Sequence, residues 1–161
     1  MKNTLIPLAL ALSALGTHAV EYKSIVRDKS EITFGYKQMG VAMDGRFKAF
    51  AAKMSLDPNR LAHAKVSFEV DLASFETGTE ADQEVQGKSW FNTSAFPKAQ
   101  FTAQQIKALG PQQWEVLGTL SIKGKSVEVK FPLQYTPQGQ TGVFKGQLVL
   151  RRADFAIGEG S

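Results

Sequence analysis

Cysteine is absent from this 161-residue chain, and only two histidines, His18 and His63, are present. The first absence excludes a disulfide framework, thiolate-bound zinc or iron–sulfur sites, covalently attached haem and a cysteine nucleophile. The second leaves few groups for metal binding or proton transfer. A Gly-x-Ser-x-Gly nucleophile turn is missing too. Charge is sparse and scattered: 19 Lys and Arg against 15 Asp and Glu give +4, with single basic residues set between apolar ones and no basic block. Nucleic acid is therefore not an expected partner.

Residues 1–19 read as an export signal. Lys2 is the charged start, Leu5 to Leu15 the apolar run and Thr17-His18-Ala19 the small-residue cleavage site. The alternative is a membrane-anchoring helix, but the run falls short of the roughly 18 residues that spanning requires. A domain of residues 20–161 is then exported, and the expected location is the periplasm. His63 remains as its histidine, beside the Asp57-Pro58-Asn59 turn. One exposed histidine is a poor start for a metal site, and no cofactor is expected.

Beyond the signal the dominant period is two, the pattern of half-buried strands. Val66, Phe68, Val70 and Leu72 alternate with Lys65, Ser67, Glu69 and Asp71. Ile32, Phe34 and Tyr36 share one face opposite Glu31, Thr33 and Lys37. Trp114, Val116, Leu120 and Ile122 share a face that passes through Gly118, and Val127, Val129, Phe131, Leu133 and Tyr135 follow a Lys123-Gly124-Lys125 turn. Phe144, Leu148 and Leu150 form one more such face. Turns are expected at Leu109-Gly110-Pro111 and Thr136-Pro137-Gln138-Gly139, so the second half reads as an antiparallel meander.

Parity breaks once. Between Arg46 and Leu56 the apolar positions shift from Phe47 and Ala49 to Phe50, Ala52, Met54 and Leu56. Either a β-bulge near Ala49–Phe50 bends one long strand, or a plain loop joins two short ones. A short acidic helix is expected from Thr79 to Lys88, opened by a Thr79 cap and ended by Gly87. About eight antiparallel strands with one helix suggest a small barrel or a sandwich.

The stretch Lys88-Ser89-Trp90-Phe91-Asn92 followed by Phe96-Pro97-Lys98-Ala99-Gln100-Phe101 resembles the signature of the YceI-like family of exported bacterial lipid-binding proteins. Gly45-Arg46-Phe47, Phe75-Glu76-Thr77-Gly78, Gly118-Thr119-Leu120-Ser121-Ile122-Lys123-Gly124 and Arg152-Ala153-Asp154-Phe155-Ala156-Ile157-Gly158 extend the likeness in order along the chain. The resemblance implies an all-β, antiparallel, lipocalin-like eight-stranded barrel with one short helix near one end, an apolar tunnel, long isoprenoids or related amphiphiles as ligands, and no catalytic residues. Asn92 and Ala156 depart from the family's usual aspartate and glycine. Relatives also continue past Gly158-Glu159-Gly160 into a further strand, so a last C-terminal strand is expected to be missing, unless Tyr22–Arg27 closes the sheet.

On this reading the tunnel is lined by Phe34, Tyr36, Phe47, Phe68, Trp90, Phe91, Trp114, Phe131 and Phe144, with Trp90–Phe91 as a lid and Arg46 meeting a head group. Small residues at Gly118 and Gly146 either leave room inside or mark barrel corners. Glu69 and Asp71 alternate on the polar strand face and read as solvated side chains. The partners are a long-chain isoprenoid or other lipid, a membrane touched transiently, and a second copy of the chain through exposed edges. Two other readings stay open: an enzyme acting on a quinone or isoprenoid, which needs an acid or base inside the barrel, and a solid-core structural protein.

Overall fold

The computed structural model describes residues 20–160, so the expected export signal lies outside the described residues. The chain forms β1 (Ile32–Gln38), β2 (Val41–Phe47), β3 (Phe50–Ser55), β4 (Lys65–Asp71), β5 (Phe75–Glu76), α1 (Ala81–Glu84), β6 (Lys98–Gly110), β7 (Gln113–Ile122), β8 (Lys125–Gln138) and β9 (Thr141–Gly146). Every pairing is antiparallel: β1-β2-β5 form one sheet, and β3-β4-β6-β7-β8-β9 the other. Together they make a lipocalin-like barrel wall in the form of a curled half-barrel. Among the described residues there are nine strands where about eight were expected; the parity break divides one long strand into β2 and β3, and β5 is a rung of two residues.

The parity break is a corner where the chain changes sheet. Across Lys48 and Ala49 the backbone stays tied to the β4–β5 connection: Lys48 N donates to Ser74 O (3.1 Å), Ala49 N to Ser74 Oγ (3.0 Å), and Asp71 N to Ala49 O (3.0 Å). Neither expectation fits fully. The strand does bend around the sheet, but the ladder is interrupted at the corner, and the register irregularities lie instead in β6, between Ala103 and Gln105 and between Ala108 and Gly110.

Period-two alternation sets one apolar face. Directly opposed residues point the same way, so Ala52, Phe68, Phe101 and Leu120 line up across β3, β4, β6 and β7, and Val116 with Phe131 across β7 and β8. The polar partners face outward, where Glu69 meets Lys98 (3.1 Å) and Gln100 (3.3 Å). Asp71 caps the following 3-10 turn by accepting from Ala73 N (3.1 Å). Both carboxylates thus sit on the solvated face.

The expected helix is shorter than Thr79–Lys88. Only Ala81–Glu84 is α-helical, and turns then carry the chain through Trp90. Thr79 Oγ1 accepts from Ala81 N (3.2 Å), while Asp82 reaches backward to Thr77 Oγ1 (2.6 Å), Thr77 N (2.7 Å) and Gly78 N (3.0 Å). These bonds, the Thr77 hydroxyl first, hold the Asp82 carboxyl below its ordinary range. The acidic residues serve the loop before the helix more than the helix itself.

The end of the sheet also differs from expectation. The turn expected at Thr136–Gly139 comes later, because β8 runs on to Gln138 and Pro137 pairs opposite Gly142. Tyr135 N donates to Gln112 O (3.0 Å), so odd-numbered residues of β8 turn their backbone groups toward β7. Pro137, an odd position, hides its missing N–H on that side. Pro132, an even one, faces β9 with no donor, and β8–β9 pairing stops next to it at Leu133↔Gly146. Leu148 and Leu150 consequently leave the sheet instead of continuing the Phe144 face. Within Tyr22–Arg27, Tyr22 forms an isolated antiparallel bridge to Leu56, and the Arg27 guanidinium lies over the Phe50 ring of β3 at 4.0 Å, so the segment adds no full strand to the sheet.

Candidate functional site

Two aromatic groups occupy the apolar face. The first joins Phe34, Tyr36, Phe47, Phe75 and Phe91: Phe34 stacks on Phe75 at 4.6 Å, Phe47 lies 5.2 Å from Phe34, and Phe91 lies 6.0 Å from Phe75. The second joins Tyr22, Trp114, Tyr135 and Phe144, with Trp114 stacked on Tyr135 at 4.7 Å and Tyr135 on Phe144 at 5.1 Å. Trp114, Tyr22 and Tyr135 are buried there with Leu56, Ile106 and Val116, and close one end of the half-barrel. Phe101 and Phe131 (5.6 Å apart) pack against that end from the wall.

Burial is uneven in a way that bears on function. Of the eleven phenylalanines only Phe155 is buried, at 1% exposure, and the other ten are half-buried. A solid core would bury most of them. Phe155 instead plugs the wall with Leu72, Ala99 and Ile122.

Glycines seat the rings. A Cβ at Gly118 would lie 2.5 Å from the Phe101 ring and 2.6 Å from Thr102 O, and one at Gly146 would lie 3.1 Å from Phe131 and Leu133. The room expected at these positions is therefore filled by neighbouring side chains. Gly45 does the same for Phe34, its cross-strand partner.

The expected lining residues fall into separate groups. Phe34, Tyr36, Phe47 and Phe91 come together; Trp114, Phe131 and Phe144 form or adjoin the second group; Phe68 stands on the wall opposite Ala52 and Phe101. Trp90 parts from its neighbour Phe91, lying under the Arg152 guanidinium at 5.2 Å while Ser89 O accepts from Gly158 N (2.6 Å). It secures the C-terminal turn. Arg46 stands on the outward face of β2, with Nε donating to Glu76 at 2.7 Å. Lys48 joins the pair at 3.1 Å, and hydrogen bonds from Arg46 and Lys48 hold the Glu76 carboxyl below its ordinary range.

Phe75, Phe101, Tyr22 and Tyr135 belong to these groups without having been singled out. Tyr135 stands in its alternating strand, whereas Phe101 stands only in the family stretch Phe96–Phe101. Phe75 lies in a strand of two residues and Tyr22 in a lone bridge, both too short to show a period.

Between β8 and the diverging segment 147–151 lies a cleft of about 560 Å³, within the range of small-molecule sites. Val127, Val129, Leu148, Leu150 and Phe155 line it, with Glu128, Lys130, Arg151 and Asp154 among its polar residues. Among the described residues the buried side chains are apolar or aromatic, and every charged side chain reaches solvent. His63 is exposed in a 3-10 turn beside a smaller cleft lined by Glu21, Ser55, Asp57 and Arg60.

Tyr22 and Tyr135 share a 2.8 Å hydroxyl hydrogen bond. Burial, reinforced by that bond, pushes the Tyr135 hydroxyl well above the ordinary 10.0. Above about pH 10 the unfolded chain releases this proton while the folded chain retains it, so stability falls as pH rises. Tyr135→Phe should flatten this alkaline loss in urea titrations between neutral and high pH. Its cost near neutrality should be about 0.5–1.5 kcal/mol, the worth of an ordinary hydrogen bond, because Tyr22 still reaches Thr141 O (3.2 Å). An unchanged alkaline slope would sink this account.

Known proteins place the chain. Residues 24–161 match the YceI-like domain. A UPF0312 protein from Photorhabdus laumondii is 30% identical over 146 residues, covering 87% of this chain and 76% of that protein. The crystal structure of BcnA from Burkholderia cenocepacia superposes with a TM-score of 0.79 at 35% identity, over 83% of this chain and 85% of BcnA. A polyisoprenoid-binding domain from Saccharophagus degradans shares the fold, with a TM-score of 0.63 at 16% identity over 87% of this chain and 82% of that one.

Proposed function

The chain belongs to the YceI-like family, and from that premise we propose that it is a non-enzymatic periplasmic carrier holding a long-chain isoprenoid, or a similar amphiphilic lipid, against the apolar face of its half-barrel. The observation that carries the reading is the row of half-buried phenylalanines on that face. Rings such as Phe34, Phe75, Phe101 and Phe131 are held in place by wall contacts yet keep apolar surface open to a guest. Each methylene taken from water contributes about 0.8 kcal/mol, so a tail of many carbons gains enough to be retained. The cleft beside β8 adds apolar side chains, Val127, Val129, Leu148 and Leu150, next to that wall. The polyisoprenoid-binding domain that shares the fold supports the ligand class. Support for the location is the N-terminal charged start, apolar run and small-residue site.

The test is organic extraction of protein purified from cells with their native membranes, followed by mass spectrometry. A stoichiometric long-chain isoprenoid or related amphiphile is expected. Repeatedly empty extracts would overturn the proposal.

A further inference from the structure

The tip of the β1–β2 hairpin is built against both turn chemistry and solubility. Met39 and Gly40 take positive φ (50° and 82°), as the two central residues of a tight hairpin loop do. Asparagine or glycine suits the first of these positions, because a left-handed backbone strains other side chains. Methionine stands there instead, 98% exposed, with no packing to offset the strain. Val41 beside it is 59% exposed.

Behind the tip the same sheet face leads inward. Cross-strand pairs run Gln38↔Val41, Tyr36↔Met43, Phe34↔Gly45 and Ile32↔Phe47, ending in the Phe34–Phe75 stack. The opposite face carries exposed Lys37 next to the tip, on a domain, residues 20–161, with 18 Lys and Arg against 15 Asp and Glu.

We propose that this hairpin is a membrane-docking tip. Met39 and Val41 enter the head-group boundary of a bilayer that contains anionic lipid, Lys37 meets the head groups, and the apolar face behind them receives the lipid tail. Two side chains at the end of a two-residue loop offer far less than the roughly 800 Å² per partner of a stable protein interface. They suit shallow insertion, where a flexible methionine accommodates a disordered surface. The delivery step rests on the carrier reading above; docking does not.

The experiment separates the two. Folded exported protein, residues 20–161, freed of lipid by extraction and refolding, is sedimented with phosphatidylcholine vesicles with and without phosphatidylglycerol. Binding should be stronger to the anionic vesicles and weaken with salt. Met39→Asn restores the Asn-Gly turn, so Met39→Asn/Val41→Thr should keep or raise the melting temperature while vesicle binding falls roughly tenfold or more. Lys37→Gln should remove part of the preference for anionic vesicles. Wild-type protein that sediments with neither vesicle, or a double variant that binds as well as wild type, overturns the proposal. Concentration-dependent self-association abolished by Met39→Asn, without vesicle binding, assigns the tip to a second copy and overturns it equally. An empty lipid extract leaves the docking result standing, and docking lost with cargo retained removes the tip alone.

Discussion

Replacing Trp114 by alanine should lower stability by about 3–5 kcal/mol, the range for large buried aromatic residues. At 3% exposure the indole is among the most buried side chains of the closed end, stacked on Tyr135 at 4.7 Å and lying 5.9 Å from Phe144. Tyr22, Leu56, Ile106 and Val116 belong to the same cluster, and little can collapse into the void because the sheet wall fixes them. In a domain of this size the loss is a fall of roughly 6–20 °C in melting temperature. Trp114→Phe should cost less, since it keeps the stack on Tyr135. Calorimetry of both variants checks the argument, and a Trp114→Ala loss below about 1 kcal/mol would contradict the burial on which it rests.

Alternation made the wall legible in the sequence. Val66, Phe68 and Val70 on β4, and Val127 to Tyr135 on β8, lie on the face that their period assigns them. Regular pleating allows this, because a one-residue slip would expose the whole apolar set. Where tertiary hydrogen bonds govern, the period carries less. The Lys48–Ala49 corner depends on Ser74, far along the chain, and the early end of β9 follows from a proline on the neighbouring strand. Side-chain company was less legible still. Trp90 and Phe91 are adjacent in sequence yet pack in different places, one against Arg152 and the other against Phe75. The pairing of Arg46 was not legible, because a charge in a strand motif says nothing of its partner; Glu76, brought in by β5, supplies it.

Gly45→Val should destabilise the protein by about 1–3 kcal/mol or more, as overpacking of a filled site does, and should also loosen the aromatic group proposed to hold lipid. A Cβ at this position would run into the edge of the Phe34 ring and meet Glu76 O at 2.7 Å. The two obstacles differ in kind. The ring can move, at the cost of its 4.6 Å stack on Phe75, whereas Glu76 O belongs to the β5 backbone paired with β2. A double-mutant cycle separates them. Phe34→Ala removes the ring, so Gly45→Val should cost less in that background than in wild type, but the residual cost should not vanish while the β5 carbonyl stays. Hydrogen exchange of the β5 amides should rise in both Gly45 variants. If Gly45→Val unfolds at the wild-type denaturant midpoint, the Phe34 ring does not rest on Gly45. The aromatic group would then lack the fixed seat that lets it present apolar surface to a guest instead of collapsing upon itself.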